Sequence, residues 1–236
     1  MYLLTSFAAL TSLSAPVLAQ DAPVAVPAVA APVIAAPAVK QDVTAQPPAD
    51  IANNPEHMLN LDLSTGGRVV IQLRPDIAPA HVERVKSLTR AGFYNGIVFH
   101  RVIEGFMAQT GDPTGTGTGG SQLPDMQPEF SVFPHLRGTV SMARAATPES
   151  ANSQFFVVFQ PRFQLDRSYT SFGRVVSGMQ YIDAVRRGEP PVAPSRIVQA
   201  SIAADNRPVP PVLTEAPLPQ AAPITADDLN APLSPQ

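Results

Sequence analysis

The chain has 236 residues, a formal net charge of -3 and a pI near 5.8. A slightly acidic net charge argues against general nucleic-acid binding, which requires a basic stripe, so we expect no nucleic-acid partner. Cysteine is absent, which excludes disulfides, thiol nucleophiles and thiolate metal sites. Proline is abundant but unevenly placed, and both ends of the chain are far richer in it than the middle.

Residues 1–19 have the pattern of a secretory signal peptide. The stretch is apolar, uncharged and rich in small residues, and Val17-x-Ala19 fits a cleavage site before Gln20. One feature departs from the pattern, because no lysine or arginine follows Met1. The stretch is too short and polar for a comfortable membrane span. We therefore expect a periplasmic or secreted protein, cleaved near Ala19-Gln20, with no stable membrane insertion.

Two segments read as disordered. Residues 20–55 repeat alanine, valine and proline with no helical or strand period and almost no charge. Residues 205–236 form a similar proline-rich tail. Proline fixes φ and removes hydrogen-bond donors, so an extended linker is the expected structure for the first segment. A recognition role stays open for both, since proline-rich segments can be ligands.

Residues 56–204 remain as a single globular domain. Alternating or β-branched stretches predict strands at 58–63, 68–73, 97–103, 106–110, 138–143, 153–159, 171–176 and 196–203. Helical spacing predicts helices at 78–91 and 178–186. Many short strands with only two helices favour a mainly β fold, a closed antiparallel barrel. The glycine-rich stretch 115–120 lacks a following Lys-Ser/Thr, so we interpret it as a flexible surface loop rather than a phosphate cradle.

The most informative stretch is residues 99–112, which reads as strand, turn, strand. Period-2 alternation places Phe99, Arg101 and Ile103 on one face of the first strand, and Met107 and Gln109 on one face of the second. An arginine, a glutamine and large apolar side chains are thereby predicted to share one patch. The alternative is a solvent-facing arginine beside an ordinary apolar core.

The full stretch Phe99-His100-Arg101-Val102-Ile103-Glu104-Gly105-Phe106-Met107-Ala108-Gln109-Thr110-Gly111-Asp112 resembles the signature F-H-R-V-I-x-G-F-M-x-Q-x-G-D of cyclophilin-type peptidyl-prolyl cis-trans isomerases. Every fixed position of that signature is present. The resemblance extends over residues 56–204. It implies a closed eight-stranded antiparallel barrel flanked by two α-helices, and acceleration of rotation about X-Pro peptide bonds.

Three later segments, 141–144, 152–157 and 163–173, resemble other parts of the family pattern. The resemblance implies that Arg101 and Gln109 are catalytic. It also implies a substrate-binding groove formed by Phe106, Met107, Ala143, Gln154, Phe156, Leu165 and Tyr169. By alternation Phe156 shares a strand face with Gln154, whereas Phe155 points into the core.

Three positions depart from the family pattern. Arg144 stands where eukaryotic members commonly have asparagine, Gln164 where many members have tryptophan, and Tyr169 where many have histidine. A glutamine lacks the apolar area of an indole, so we expect weak binding of cyclosporin-type cyclic peptides. The catalytic arginine is unaffected by these changes.

Other chemistry has little support in the sequence. None of the four histidines lies at metal-ligand spacing with another ligand, and no G-x-S-x-G elbow is present. We interpret His100 as structural, and we expect no cofactor and no metal. The resulting hypothesis is a monomeric isomerase that acts on proline-containing unfolded or partly folded polypeptides and assists the folding of exported proteins. The alternative is a proline-peptide binding module with the same fold and little turnover.

Overall fold

The computed structural model describes residues 45–211. The predicted signal peptide, most of the predicted N-terminal linker and most of the C-terminal tail lie outside the described residues. The strands are β1 (Met58–Leu63), β2 (Gly67–Leu73), β3 (Arg101–Ile103), β4 (Met107–Thr110), β5 (Thr139–Met142), β6 (Phe155–Val158), β7 (Ser171–Ser177) and β8 (Ile197–Ile202). The helices are α1 (Ala49–Ala52), α2 (Pro79–Arg90) and α3 (Met179–Asp183). Every strand predicted from the sequence is present; the bounds of β1 agree with the prediction and those of the other strands are shifted.

The eight strands form one antiparallel sheet in the order β3-β4-β6-β5-β7-β2-β1-β8. Its edge strands β3 and β8 do not pair with each other within residues 45–211, so the predicted closure of the barrel is not confirmed and the sheet is open. Two isolated bridges, Val98 with Arg196 and Val102 with Gly188, link the segments beside these edges. β3 has only three residues, and three prolines between Gly188 and β8 remove the donors that a longer ladder needs.

Apolar side chains pack on both faces of the sheet around β4 and β6. Phe155 and Val157 belong to the large core, whereas Phe156 and Val158 belong to a smaller cluster on the opposite face. The same alternation sends Ala108 of β4 into the large core and Met107 into the smaller cluster. The predicted separation of Phe155 from Phe156 is therefore confirmed.

The helix α2 covers one end of the large core. Pro79 occupies its first turn, where the missing N–H costs nothing. The carboxylate of Glu129 accepts hydrogen bonds from the backbone N–H groups of Ala80 and His81, which have no partner inside the helix. The buried apolar face consists of Val82, Val85 and Leu88, as the helical spacing predicts. Among residues 45–211, no helix has the length and apolar character that crossing a bilayer requires.

The helix α1 lies within residues 20–55, for which the sequence predicts a disordered linker. Ile51 is only 6% exposed, and its carbonyl oxygen accepts a hydrogen bond from Gln72 Nε2 at 3.1 Å. Arg74 Nη1 donates to the carbonyl of Ala45 at 3.5 Å. The described end of this segment is therefore part of the packed domain. A four-residue helix held by one buried side chain is too short to produce a hydrophobic period.

We expect a chain that begins at residue 54 to be less stable than one that begins at residue 45. The shorter chain loses the burial of Ile51 and leaves the buried Gln72 amide without one acceptor, a loss of roughly 2–4 kcal/mol. Urea unfolding of the two chains measures the difference. Ile51→Ala in the full chain should account for about half of it, and Val209→Ala, at an exposed position, is the matched control. Coincident unfolding curves for the two truncated chains would contradict the assignment.

Candidate functional site

The site is built on the hairpin of β3 and β4. Gly105 makes the turn between the strands with a φ of 65°, a conformation that side-chain-bearing residues rarely adopt. Across the hairpin Arg101 lies opposite Gln109, and Ile103 lies opposite Met107. Directly opposed residues in a sheet point to the same face. The structure therefore brings Arg101 and Gln109 together as the alternation predicts.

The prediction for Phe99 was wrong. Its ring is fully buried in the large core, on the opposite side of the sheet from Arg101. β3 begins only at Arg101, and residue 98 makes no more than an isolated bridge. Because the chain before Arg101 is not a regular strand, period-2 alternation does not carry back to Phe99.

Beside Arg101 the smaller apolar cluster forms a shallow pocket of about 100 Å³. Phe156 and Tyr169 meet edge to face with ring centroids 5.8 Å apart. The pocket is lined by Arg101, Phe106, Met107, Gln109, Ala143, Arg144, Phe156, Leu165 and Tyr169. Eight of these nine residues were predicted as site residues from the sequence, and the ninth, Arg144, was singled out there as a departure from the family pattern.

The arginine stands at the open rim of this pocket. The Arg101 side chain is 42% exposed, and its Nε donates a hydrogen bond to Glu189 Oε2 at 2.7 Å. Neither terminal nitrogen of its guanidinium has a hydrogen-bond partner among residues 45–211. A cation with free N–H groups beside an apolar pocket is positioned to donate to a bound ligand.

Gln109 is held by a second glutamine. Its Nε2 donates to Gln154 Oε1 at 2.8 Å, and Gln154 Nε2 donates to the carbonyls of Gly117 and Gly119 at 3.0 Å and 2.7 Å. Those two carbonyls orient the Gln154 amide, since only its NH₂ group can donate to both. The structure thus brings Gln154 to the wall of a neighbouring cavity of about 540 Å³, outside the lining of the apolar pocket. Its side chain fixes Gln109 and the loop.

The glycine-rich loop is organised by one carboxylate, which differs from the flexible loop that the sequence predicts. Asp112 is 1% exposed, and its oxygens accept hydrogen bonds from the backbone N–H groups of Thr114, Thr116, Gly117 and Gly119. These amides form an anion-binding nest that Asp112 already occupies. Burial works to raise the pKa of the Asp112 carboxyl, but hydrogen bonds from Thr114, Gly119 and Gly117 outweigh it and hold the pKa at about 2.

Arg144 lies on the ridge between the two cavities, and both are lined by it. Its guanidinium carbon stands 4.6 Å from the centroid of the Tyr169 ring, and Nη2 donates to the carbonyl of Ser168 at 3.2 Å. The arginine therefore braces the tyrosine that closes the pocket. Gln164 is exposed and does not line the pocket, and Phe163, beside it, is 62% exposed.

Behind Phe156 lies a buried cluster with the composition of a hydrolase triad. His135 Nδ1 lies 2.7 Å from Asp166 Oδ1, and His135 Nε2 lies 2.9 Å from Ser141 Oγ. Burial lowers the pKa of the His135 imidazole, and the hydrogen bond that the imidazole donates to the Asp166 carboxylate opposes this only in part. Ser141 is fully buried, so no substrate reaches its hydroxyl. The cluster supports the Phe156 ring, which stacks on the His135 ring with the two ring centroids 6.4 Å apart.

His100 is buried, as its interpretation as a structural residue requires, and among residues 45–211 neither ring nitrogen makes a hydrogen bond of normal geometry. Burial lowers the pKa of this imidazole. No group of three or more histidine, cysteine, aspartate or glutamate side chains is placed to hold a metal ion in the part of the chain that the structure describes.

Sequence reasoning missed two residues of the site region. Glu189 lies 88 positions from its partner Arg101, and no local pattern connects them. Asp112 is the last residue of the family signature and precedes the glycine-rich loop. An aspartate placed before a run of backbone N–H donors is the sequence feature that could have predicted its role in organising the loop.

We expect Asp112→Asn to destabilise the protein by roughly 2 kcal/mol at pH 7, because an amide cannot accept from all of these donors. The carboxyl pKa is lower in the folded than in the unfolded protein. Its stabilisation is therefore present above about pH 4 and is lost as the pH falls toward 2. Urea unfolding between pH 7 and pH 2 should show a flatter acid dependence for the variant. Asp183→Asn, which removes an exposed partner of Arg137, is the control, and an equal loss there would contradict the role of the loop.

The chain is similar to proteins of one known family. The family model described as cyclophilin type peptidyl-prolyl cis-trans isomerase/CLD matches residues 59–202. A probable peptidyl-prolyl cis-trans isomerase of Brucella suis is 46% identical over 172 residues, which cover 66% of this chain and 87% of that protein. The peptidyl-prolyl cis-trans isomerase ppi1 of Schizosaccharomyces pombe is 37% identical over 153 residues, with coverages of 61% and 98%.

Two solved structures share the fold. The cyclophilin AquaCyp293 from Hirschia baltica superimposes with a TM-score of 0.61 at 30% identity, covering 66% of this chain and 77% of that chain. A cyclophilin type isomerase of Cryptosporidium parvum, solved in the presence of the dipeptide ala-pro, gives a TM-score of 0.58 at 27% identity, with coverages of 61% and 98%. Together with the signature residues at the pocket, these matches establish that the chain belongs to the cyclophilin-type peptidyl-prolyl cis-trans isomerases.

Proposed function

We propose that this cyclophilin accelerates rotation about X-Pro peptide bonds through Arg101, with the proline ring bound in the adjacent apolar pocket. The proposal rests on Arg101, whose terminal guanidinium nitrogens have no hydrogen-bond partner among residues 45–211 and which lines one pocket with Phe106, Met107 and Phe156. Both parts are needed. The pocket selects proline, and the arginine acts on its nitrogen.

The chemistry requires no bond cleavage. Amide resonance gives the peptide bond a rotational barrier of roughly 18–20 kcal/mol, so an X-Pro bond takes tens to hundreds of seconds to isomerise unaided. When the bond twists, the prolyl nitrogen recovers its lone pair and becomes a hydrogen-bond acceptor. A guanidinium directed at that nitrogen binds the twisted state more tightly than either planar isomer, and this differential binding lowers the barrier.

The apolar wall contributes a second, smaller effect. The twisted amide has less charge separation than the planar amide. An apolar wall formed by Phe156, Leu165 and Tyr169 therefore disfavours the twisted amide less than water does. Gln109 and the backbone at Ala143 hold the flanking peptide. Gln154 acts on the substrate through Gln109, to which it is hydrogen bonded.

The substrates are proline-containing unfolded or partly folded polypeptides. The apolar pocket is shallow and open to solvent, so an extended polypeptide segment can enter it without being part of a folded partner. The Cryptosporidium parvum relative, crystallised in the presence of ala-pro, supports small proline-containing ligands as probes.

The signal-peptide pattern of residues 1–19 supports export, and on that basis the enzyme assists the folding of exported proteins as a periplasmic or secreted monomer. Expression of the full chain in a bacterial host, followed by fractionation and N-terminal sequencing, tests the location. The expected result is a periplasmic or secreted protein that begins at Gln20. A chain retained in the cytosol with Met1 intact would refute export and leave the enzymatic proposal unchanged.

We expect Arg101→Ala to lower kcat/KM about 100-fold or more, the usual effect of removing one preorganised transition-state donor. Folding should be almost unchanged, because the side chain is 42% exposed and its one hydrogen-bonded partner, Glu189, is itself exposed. Protease-coupled isomerisation and NMR exchange on an Ala-Pro peptide measure turnover, and urea unfolding checks stability. The control is Arg187→Ala, which removes an arginine outside the pocket lining. Near wild-type turnover of Arg101→Ala would refute the mechanism, and peptide binding without turnover by the unaltered chain would favour the binding-module alternative.

A further inference from the structure

The catalytic arginine has an acidic partner delivered by a distant part of the chain. Val102 and Gly188 exchange both backbone hydrogen bonds, at 2.8 Å and 2.9 Å. In an antiparallel pairing of this kind, the next residues along each strand form a non-hydrogen-bonded pair, whose side chains approach most closely. Those next residues are Arg101 on β3 and Glu189 in the segment before β8. The backbone therefore sets the two side chains directly against each other.

The contact formed by this pair uses only one edge of the guanidinium. Arg101 Nε donates to Glu189 Oε2 at 2.7 Å, while Nη1 and Nη2 have no partner within the described range 45–211. On the other side of Arg101, its cross-strand neighbour on β4 is Gln109. The arginine is thus flanked by two side chains, and it is itself one of the residues that line the apolar pocket.

We propose that Glu189 is a positioning residue for isomerisation, holding the Nε edge of Arg101 so that the terminal nitrogens face the substrate. This inference rests on the proposed function of Arg101. An arginine with 42% exposure has many rotamers available in water, and only those that direct an N–H at the prolyl nitrogen are productive. A carboxylate fixed by the backbone raises the population of the productive rotamers before substrate binds.

The pair is exposed, since the Glu189 side chain is 50% accessible. Exposed ion pairs give modest free energies because water and salt screen them, so the effect on turnover is a small factor. We expect Glu189→Ala to lower kcat about fivefold with little change in KM, since the prolyl ring still enters the same pocket. Glu189→Gln keeps an oxygen that accepts from Nε, and it should recover at least half of the lost rate.

The matched control is Glu104→Ala together with Glu104→Gln. Glu104 accepts a hydrogen bond from Arg187 Nε at 2.6 Å, in an exposed pair at the turn of the same hairpin, and it does not line the pocket. These variants make the same chemical changes and remove the same type of interaction. They should leave kcat and KM within experimental error of the unaltered chain.

The decisive experiment is a double-mutant cycle between positions 101 and 189, measured by NMR exchange at several concentrations of an Ala-Pro peptide. In the Arg101→Ala background, Glu189→Ala should have no further effect on kcat, because the group that it positions is gone. The Arg101 Nε–H resonance should move upfield and broaden in Glu189→Ala, and should be restored in part by Glu189→Gln.

Three results would overturn the inference while leaving the role of Arg101 intact: an unchanged or increased kcat in Glu189→Ala, an equal loss in the Glu104 variants, or additive losses in the double variant. The proposed function fails on a different observation, namely wild-type turnover in Arg101→Ala. The two failures are therefore distinguishable within one set of proteins.

Discussion

The site depends on a strand pair that is buried on both faces. β4 and β6 run side by side, and each sends alternate side chains to the large core and to the substrate side. Met107 and Phe156 are therefore held from behind by Ala108, Phe155 and Val157, which cannot shift without disturbing the core. A pocket on such a support is rigid, and a preorganised pocket is what a reaction without covalent intermediates requires.

The polar half of the site rests on hydrogen bonds rather than on packing. Asp112 gathers the N–H groups of its loop, the loop carbonyls orient Gln154, and Gln154 orients Gln109. Each group in this series is hydrogen bonded to the next, so the network holds the Gln109 side chain in one orientation. Two supports of different physical character, apolar packing and a charge-assisted network, thus converge on the pocket beside Arg101.

Local patterns in the sequence were sufficient for much of this. Alternation separated Phe155 from Phe156 and placed Arg101 beside Gln109, because strand periodicity depends only on neighbouring residues. It failed at Phe99, where the chain is not a regular strand, and at Ile51, whose short helix has no period. The predicted closure of the barrel was not confirmed, and the partner of Arg101 was not predicted, since both depend on how the segment before β8 meets β3. A pairing across 88 residues leaves no local signature.

The adjacency of Phe155 and Phe156 restricts how this protein can evolve. These two consecutive residues of β6 point to opposite faces of the sheet, one to the large core and one to the pocket. A single residue inserted or deleted before them would therefore exchange core and pocket side chains along the whole strand. Point substitutions within the pocket, such as those at Arg144 and Tyr169, leave the frame of the strand intact. Lineages of this fold are therefore free to change ligand preference residue by residue, while length variation is confined to the loops between the strands.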